Sequence, residues 1–253
     1  MIRKLQKSSY YLLMASVASG VCFILSCLPG LAIMLVPAFA IIIEIERNIL
    51  HRKHTQPYLS MLAWSWQAFL FWNVGASWWL WELAGAAALL IWLGNSLLMT
   101  LPVLFFLFTK IKAANRFGYL AFICFWLAFE YVHGQWFMAW PTPNAGAQLA
   151  SYPFLARFYE LTGPAGGTFW LLLAALTFHS AFFERRAYGL LVAIALLPFG
   201  FWLFTADLPQ SPKRLPLAEI AGQEQLRQAI GQSDPRAGSH APDGFFFDLV
   251  SEG

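Results

Sequence analysis

Apolar residues dominate this chain in seven long runs, which are separated by charged residues or by proline and glycine. The runs cover residues 10–28, 31–45, 59–80, 83–108, 117–131, 167–183 and 188–204. A helix needs roughly 20 apolar residues to cross a bilayer, and most of the runs approach or exceed that length. The pattern therefore predicts an all-α fold: a polytopic membrane bundle of about seven transmembrane helices in residues 1–205.

The composition agrees with a membrane protein. Hydrophobic residues make up 59% of the chain and charged residues only 11%, with a mean hydropathy of +0.57. Soluble domains carry about 25% charged residues, so this chain lacks the polar surface that a water-soluble globule requires. Its 12 Trp and 24 Phe suit a bilayer, because aromatic side chains concentrate at membrane interfaces. We expect no nucleic-acid partner.

Basic residues gather at alternate ends of the predicted helices. Eleven precede the first run or follow the second, fourth and sixth runs: Arg3, Lys4, Lys7, Arg47, Arg52, Lys53, Lys110, Lys112, Arg116, Arg185 and Arg186. The opposite loops, up to the seventh run, contain one, Arg157. Because cytoplasmic loops are rich in Lys and Arg, the pattern predicts a multi-pass protein of the bacterial inner membrane with a cytoplasmic N-terminus.

Residues 206–253 differ from the rest of the chain. They begin with a proline-rich linker, "PQSPKRLP", continue with a segment able to form a short amphipathic helix, "LAEIAGQEQLRQAIGQ", and then become polar, "SDPRAGSHAPDG". Such a stretch is too short and too polar to form a catalytic domain by itself. With seven spans before it, we predict a periplasmic linker and a mostly disordered periplasmic tail.

The segment "EYVHGQWFMAWPTPNAGAQLASYP", residues 130–153, breaks the apolar pattern. Trp136 and Trp140 pair an apolar ring with one N–H donor, which suits the membrane interface, and Pro141 stops helix propagation. Further on, glycines that permit tight turns and close backbone approach cluster before the sixth run: Gly163, Gly166 and Gly167. On composition alone, simple anchoring of two helices at the interface explains this segment.

Three short motifs resemble the apolipoprotein N-acyltransferase family. The elements "FEYVHGQW", "AWP" and "YELTGPAGGTFW" follow the order of the family's E-x-x-(H/R)-G, W/F-P-W-L-x-x-G and Y-E-x-T-G-x-x-G-G/S-x-W elements. The matching residues are Glu130, His133, Gly134, Trp140, Pro141, Tyr159, Glu160, Thr162, Gly163, Gly166, Gly167 and Trp170. The similarity extends over roughly residues 8–205. It departs from the family at "WPTPNAG", where Thr142 and Pro143 replace a Trp and a Leu.

The resemblance implies roles for these residues. An outer lip beside bound phospholipid would consist of Trp136, Trp140, Pro141, Tyr159 and Glu160. Residues that shape the loop around it would be Glu130, His133, Gly134, Gly163, Gly166 and Gly167. The expected partners are membrane phospholipid and either a lipoprotein substrate or a separate nitrilase-like periplasmic domain.

The resemblance also implies a chemistry. In the family, a nitrilase-like domain with a Glu–Lys–Cys triad takes an acyl chain from a phospholipid as a Cys thioester. It then passes the chain to the terminal amino group of a diacylated lipoprotein. Such transfer needs an activated thiolate, and this chain has no cysteine beyond Cys124. We therefore expect the membrane domain alone, with no catalytic residue, no metal and no cofactor, and no acyl transfer by this chain by itself.

Other functions remain open. The chain is also compatible with a non-catalytic membrane subunit that recruits a periplasmic partner through its tail, in particular through residues 217–231. A small-molecule transporter is disfavoured, because few polar residues lie in mid-span. A lipoprotein signal peptide ending at the "ILSC" sequence of residues 24–27 is disfavoured by the six runs that follow it.

Several polar residues need separate interpretation. Glu130 and His133 lie three apart near a helix end, where capping and hydrogen bonding to the loop are favoured over a proton-relay or metal-binding role. Glu160 is placed to form an ion pair with Arg157. His179, near the cytoplasmic end of the sixth helix, is expected to reach water. The three cysteines lack the spacing of a zinc site or a disulfide framework.

Overall fold

The computed structural model describes residues 2–113, 115–135, 143–152, 155–186 and 188–204, and within these ranges all regular structure is helical. The helices are α1 (Ile2–Ser26), α2 (Leu35–His51), α3 (Pro57–Ala76), α4 (Leu80–Ala84), α5 (Ala87–Lys112), α6 (Asn115–Gly134), α7 (Ala145–Leu149), α8 (Ala156–Phe182) and α9 (Tyr188–Phe204). A 3-10 turn, Ala32–Met34, precedes α2. The predicted all-α fold is confirmed for this part of the chain. The predicted tail, 206–253, lies outside the described residues.

Within the part of the chain that the structure describes, four helical segments are long and apolar enough to cross a membrane: Ser9–Ser26, Ala87–Lys112, Phe117–Gly134 and Phe158–Phe182. They correspond to the first, fourth, fifth and sixth predicted runs. A shorter apolar helix covers Tyr188–Leu197. Large apolar side chains such as Leu90, Leu120 and Val192 lie on the surface with more than half of their area exposed. Because soluble monomers rarely expose so much apolar surface, these are the helices of a membrane protein.

Six helices close into a ring around an aromatic core. Helix α1 packs against α2 and α3, α3 against α5, and α5 against α6, while α8 completes the ring by packing against both α6 and α2. In the centre, Phe23 stacks on Trp72 with ring centroids 4.6 Å apart, and Phe39 meets Trp126 edge-on at 4.7 Å. All four rings are fully buried. Pairs of this kind contribute about 0.5–1.5 kcal/mol each beyond the burial of their area.

Helix α9 lies outside this ring and packs mainly against α8. Residue 198 is a proline, so it has no backbone N–H to donate to the carbonyl of Ile194, four residues earlier. The indole Nε1 of Trp170 donates to that carbonyl at 2.8 Å. The Trp of the third sequence motif therefore satisfies the backbone group that the proline leaves open, and it ties α9 to α8.

Three elements differ from the predicted ones. Helix α2 continues to His51, well beyond the end of the apolar run at residue 45. Helix α8 begins at Ala156 instead of residue 167, and Gly163 bends it with φ 64° and ψ −171°, a conformation that favours glycine. Helix α7 lies in the segment 130–153, which breaks the apolar pattern and for which no separate helix was predicted. Its N-cap is Asn144, whose Oδ1 accepts the backbone N–H of Ala147 at 2.8 Å.

The helix ends that carry the basic residues lie together. Glu44, near the end of α2, accepts a hydrogen bond from the hydroxyl of Tyr11 in α1 at 3.3 Å and lies 2.9 Å from Nε2 of His179 in α8. Glu46 forms a buried ion pair of 2.7 Å with Lys110 at the end of α5. We call this side of the bundle the basic end. The expectation that His179 reaches water is wrong, because its side chain is only 2% exposed and Glu44 provides the polar partner instead.

Candidate functional site

At the opposite end of the bundle, the carboxylate of Glu130 joins three helices. Its Oε1 accepts hydrogen bonds from the indole Nε1 of Trp126 at 3.1 Å and from the backbone N–H of Ala145 at 3.0 Å. Its Oε2 accepts the hydroxyl of Thr168 at 2.6 Å. Trp126 lies in α6, Ala145 opens α7 and Thr168 lies in α8. Glu130 therefore positions the short helix α7 against the two long ones.

Helix α7 is also held directly against α8. The backbone N–H of Gly146 donates to the hydroxyl oxygen of Thr168 at 2.9 Å, and the hydroxyl of Tyr159 donates to the carbonyl of Gly146. A Cβ at Gly146 would lie 1.9 Å from the carbonyl oxygen of Pro164. A Cβ at Gly167 would lie 1.9 Å from the hydroxyl of Tyr159. Gly146 is thus required for the close approach of α7 to α8, and Gly167 leaves room within α8 for the Tyr159 hydroxyl that bonds to α7.

The other side of the segment is fastened to the beginning of the chain. The hydroxyl of Ser26, the last residue of α1, donates to Oε1 of Gln148 at 3.2 Å. The hydroxyl of Tyr152 donates to the carbonyl of Gly30 at 2.9 Å and accepts the backbone N–H of Ile33 at 3.1 Å. Residues 143–152 therefore form a fixed bridge between α1 and α8.

A pocket of about 330 Å³ opens between this bridge and the end of α3. We call it the groove; its lining residues are Ala76, Ser77, Trp79, Pro143, Asn144, Ala147 and Gln148. Trp79 lines the groove and is exposed, as are its neighbours in the chain Trp78 and Trp81. We call this side of the bundle the Trp-rich end. Among the described residues, the lining combines apolar surface with one hydroxyl and two amides and contains no ionisable side chain. These residues can bind a neutral or amphipathic group by hydrogen bonds, but none of them is a nucleophile paired with a base.

The structure places only some of the expected site residues. In the predicted outer lip, Tyr159 bonds to α7 as described and Glu160 is exposed on α8, whereas Trp136, Trp140 and Pro141 lie outside the described residues. The predicted ion pair of Glu160 involves the Arg157 side chain, which is also outside the description.

The expected loop-shaping residues take different positions. His133 is buried, with its ring 5.5 Å from that of Phe129. Gly134 ends α6, and a Cβ there would meet no atom of the described residues within 4 Å. Gly163 forms the bend in α8, and a Cβ at Gly166 would lie 2.1 Å from the hydroxyl oxygen of Thr162. Within the described ranges, no three His, Cys, Asp or Glu side chains come together as metal ligands would.

Sequence reasoning missed four residues of this site: Thr168, Gly146, Gln148 and Tyr152. Thr168 occupies an unspecified position of the third motif, and nothing in the local pattern marks its pairing with Glu130. Helix α7 could have been predicted from the sequence. Asn144 follows a proline and precedes "AGAQL", which is the arrangement of an N-cap before a short helix.

Comparison with known proteins agrees with the motifs. The model of the family described as apolipoprotein N-acyltransferase N-terminal domain matches residues 13–177, which include Glu130, α7 and the bend in α8. The apolipoprotein N-acyltransferase of Chlorobaculum tepidum is 24% identical over 151 residues, which are 59% of this chain and 28% of that relative. The matched part thus spans little more than a quarter of the relative's length. No solved structure matches the chain. The chain belongs to the apolipoprotein N-acyltransferase N-terminal domain family.

Proposed function

We propose that this chain is the membrane domain of an apolipoprotein N-acyltransferase-like protein and that its groove binds a membrane phospholipid. The observation that carries the proposal is the junction at Glu130, which holds α7 in place and so forms one wall of the groove. Family membership supports a lipid ligand, because the matching relative is named an apolipoprotein N-acyltransferase.

The lining of the groove suits the interfacial part of a phospholipid. The side-chain NH₂ groups of Asn144 and Gln148 can donate hydrogen bonds to ester and phosphate oxygens, whereas the hydroxyl of Ser77 already donates to the carbonyl of Asn73 at 2.7 Å. Trp79 lines the groove and is 44% exposed, so its ring can cover the upper part of an acyl chain. Tryptophan takes this position at membrane interfaces because its indole has an apolar body and one polar N–H.

A paired substitution tests the groove. In Ala147→Trp the new ring fills the groove, whereas Ala150→Trp adds the same ring three residues along, outside the lining. The purified variants are reconstituted into vesicles that contain a phospholipid with a photoactivatable group near its glycerol, and cross-linked peptides are identified by mass spectrometry. We expect cross-links to residues 76–79 and 143–148 in the wild type and in Ala150→Trp, and their loss in Ala147→Trp. Equal cross-linking in both variants would refute a lipid in the groove.

We further propose that the 253-residue chain does not transfer acyl groups by itself. Cysteine nucleophiles are activated by a nearby base or cation. The thiol of Cys27, near the groove, instead donates to the carbonyl of Phe23 at 3.4 Å and lies 3.9 Å from the amide of Gln148. The test is incubation of the reconstituted chain with phospholipid and a diacylated lipopeptide. N-acylated lipopeptide above the level of empty vesicles would contradict this part of the proposal.

The topology that we propose is seven spans with the basic end in the cytoplasm and the Trp-rich end in the periplasm of the inner membrane. It is tested in a chain whose native cysteines, Cys22, Cys27 and Cys124, are replaced by alanine. We expect Ala150→Cys to react with a membrane-impermeant maleimide applied to cells with a permeabilised outer membrane. Arg52→Cys should react only after the inner membrane is broken. The reverse pattern would invert the bundle and place the groove on the wrong side for periplasmic lipoproteins.

A further inference from the structure

The basic end contains a second pocket, which the proposed function does not use. It has a volume of about 330 Å³ and is lined by residues from three helices and the segment after α8: Arg47, Leu50, His51, Lys110, Tyr119 and Glu184. The side chain of Lys110 is only 3% exposed, and its Nζ lies 4.3 Å from the centre of the Tyr119 ring. A Cβ at Gly118 would lie 2.1 Å from Cγ of Lys110, so α6 leaves room for the lysine beside the pocket.

Both cations of this pocket already have carboxylate partners. Nζ of Lys110 lies 2.7 Å from Glu46, and Arg47 donates from Nε at 2.7 Å and from Nη2 at 3.1 Å to Glu44. An arginine side chain has five N–H donors, so these two bonds leave three for another acceptor. Arg47 therefore retains N–H groups that can donate to a ligand, although its charge is balanced by the carboxylate of Glu44.

A negative group faces the same space. Glu184 lines the pocket together with Arg47, so a carboxylate and a guanidinium border the same space. Within the described lining, Arg47 and Lys110 are matched by Glu44 and Glu46, and Glu184 adds a further carboxylate. The lining side chains themselves therefore carry no excess of positive charge for an anionic ligand. A zwitterion fits better, because its anionic part can accept from Arg47 while its cationic part pairs with Glu184.

The surroundings of the pocket are apolar and exposed. Three lining residues have an exposed apolar neighbour in the chain: Ile111 beside Lys110 is 41% exposed, Leu120 beside Tyr119 is 60% exposed, and Phe183 beside Glu184 is 36% exposed. A zwitterion with acyl chains can therefore place its headgroup in the pocket while its chains lie along the outer surface of the bundle.

We propose that the pocket at the basic end binds the phosphoethanolamine headgroup of a membrane phospholipid, with the phosphate on Arg47 and the ammonium on Glu184. This site is separate from the groove, since it lies at the other end of the bundle. The primary ammonium distinguishes the ligand, because its N–H groups can donate to a carboxylate and a quaternary choline group has none.

The test is lipid selection by the purified chain. Protein in detergent is incubated with vesicles that contain phosphatidylethanolamine, phosphatidylcholine and phosphatidylglycerol in equal amounts, and the lipids retained after re-purification are quantified by mass spectrometry. We expect phosphatidylethanolamine to be enriched over both others. In Glu184→Gln the preference of the protein for phosphatidylethanolamine over phosphatidylglycerol should fall roughly fivefold, because this is the upper range of what a partly exposed ion pair contributes. In Arg47→Gln retention of all three lipids should fall.

Matched variants make the outcome decisive. Arg52→Gln removes an exposed arginine that lies near the same helix end but not in the lining, and it should leave selection unchanged, as should Ala150→Trp, which lies outside both pockets. Glu184→Lys leaves the ion pairs of Glu44 and Glu46 in place and should reverse the preference toward phosphatidylglycerol. Enrichment of phosphatidylglycerol by the wild type, or unchanged selection in both Glu184 variants, would overturn the proposal. Displacement of the lipid by equimolar glycerophosphoethanolamine would also overturn it, because the ligand would then be a soluble headgroup.

Discussion

Replacing Glu130 measures how strongly the carboxylate holds α7. Glu130→Gln keeps an oxygen that can accept from Trp126 and Ala145, but it directs an amide NH₂ at the hydroxyl of Thr168, which now donates to the carboxylate at 2.6 Å. A hydrogen bond to a charged group contributes about 1.5–3 kcal/mol, so we expect the free energy of unfolding to fall by about that amount.

Glu130→Leu should cost more than Glu130→Gln. It removes all three acceptor contacts, and the residues that donate, Trp126, Ala145 and Thr168, are buried. Each buried donor left without a partner costs about 1–3 kcal/mol. The loss should therefore exceed that of the glutamine variant, and α7 should lose its fixed place beside α8.

Two measurements check this ordering. Unfolding of the purified variants in mixed micelles, titrated with SDS and followed by tryptophan fluorescence, gives the change in free energy. Limited proteolysis gives the exposure of residues 143–152, which should rise in both variants and most in Glu130→Leu. Glu82→Gln, which changes an exposed carboxylate in α4, is the control and should stay within about 0.5 kcal/mol of the wild type. If Glu130→Leu were as stable and as protease-resistant as this control, the junction at Glu130 would not hold the segment.

Two further substitutions test other contacts in the same unfolding assay. Gly146→Ala places a Cβ 1.9 Å from a backbone oxygen of Pro164 and should lower the free energy of unfolding by about 1–3 kcal/mol. Gly134→Ala, whose Cβ would meet no described atom within 4 Å, should leave the stability unchanged. Equal unfolding midpoints for the two variants would show that α7 and α8 do not approach so closely. Lys110→Met strands the carboxylate of Glu46 and should cost about 3–5 kcal/mol, while adding Glu46→Met should restore most of the loss. Losses that simply add would contradict a buried ion pair.

The parts of the fold that depend on lipid contact could be predicted from the sequence. Helices α1, α5 and α6 end within a few residues of the predicted runs, because a helix in hydrocarbon must be apolar along its whole length and its ends are marked by charge. Helix α2 was predicted too short because its last turns contact other helices and carry charged residues. Its final turns carry Glu44, Glu46 and Arg47, which look like the start of a loop until their partners on α5 and α8 are known.

The sequence indicated several of the residues that belong to the candidate site, but it did not predict the contacts between them. The family motifs drew attention to Glu130, Tyr159 and Gly167, all of which lie at the junction with α7 or α8. Glu130 and Thr168 are 38 residues apart in the chain, and the hydrophobic periodicity of either helix does not predict a hydrogen bond between residues so far apart. The close approach of Gly146 to α8 is equally hidden, since an isolated glycine in a loop is also compatible with an ordinary turn.

The ion pairs of α2 have a consequence for biosynthesis. The partner of Glu46, Lys110, lies 64 residues later in the chain, and the partner of Glu44, His179, lies 135 residues later. While α2 leaves the ribosome, Arg47 is the cation that accompanies these two carboxylates on the same helix. The end of α2 must therefore stay hydrated until α5 and then α8 have been translated, so the bundle closes in the bilayer only after nearly the whole membrane domain has been made.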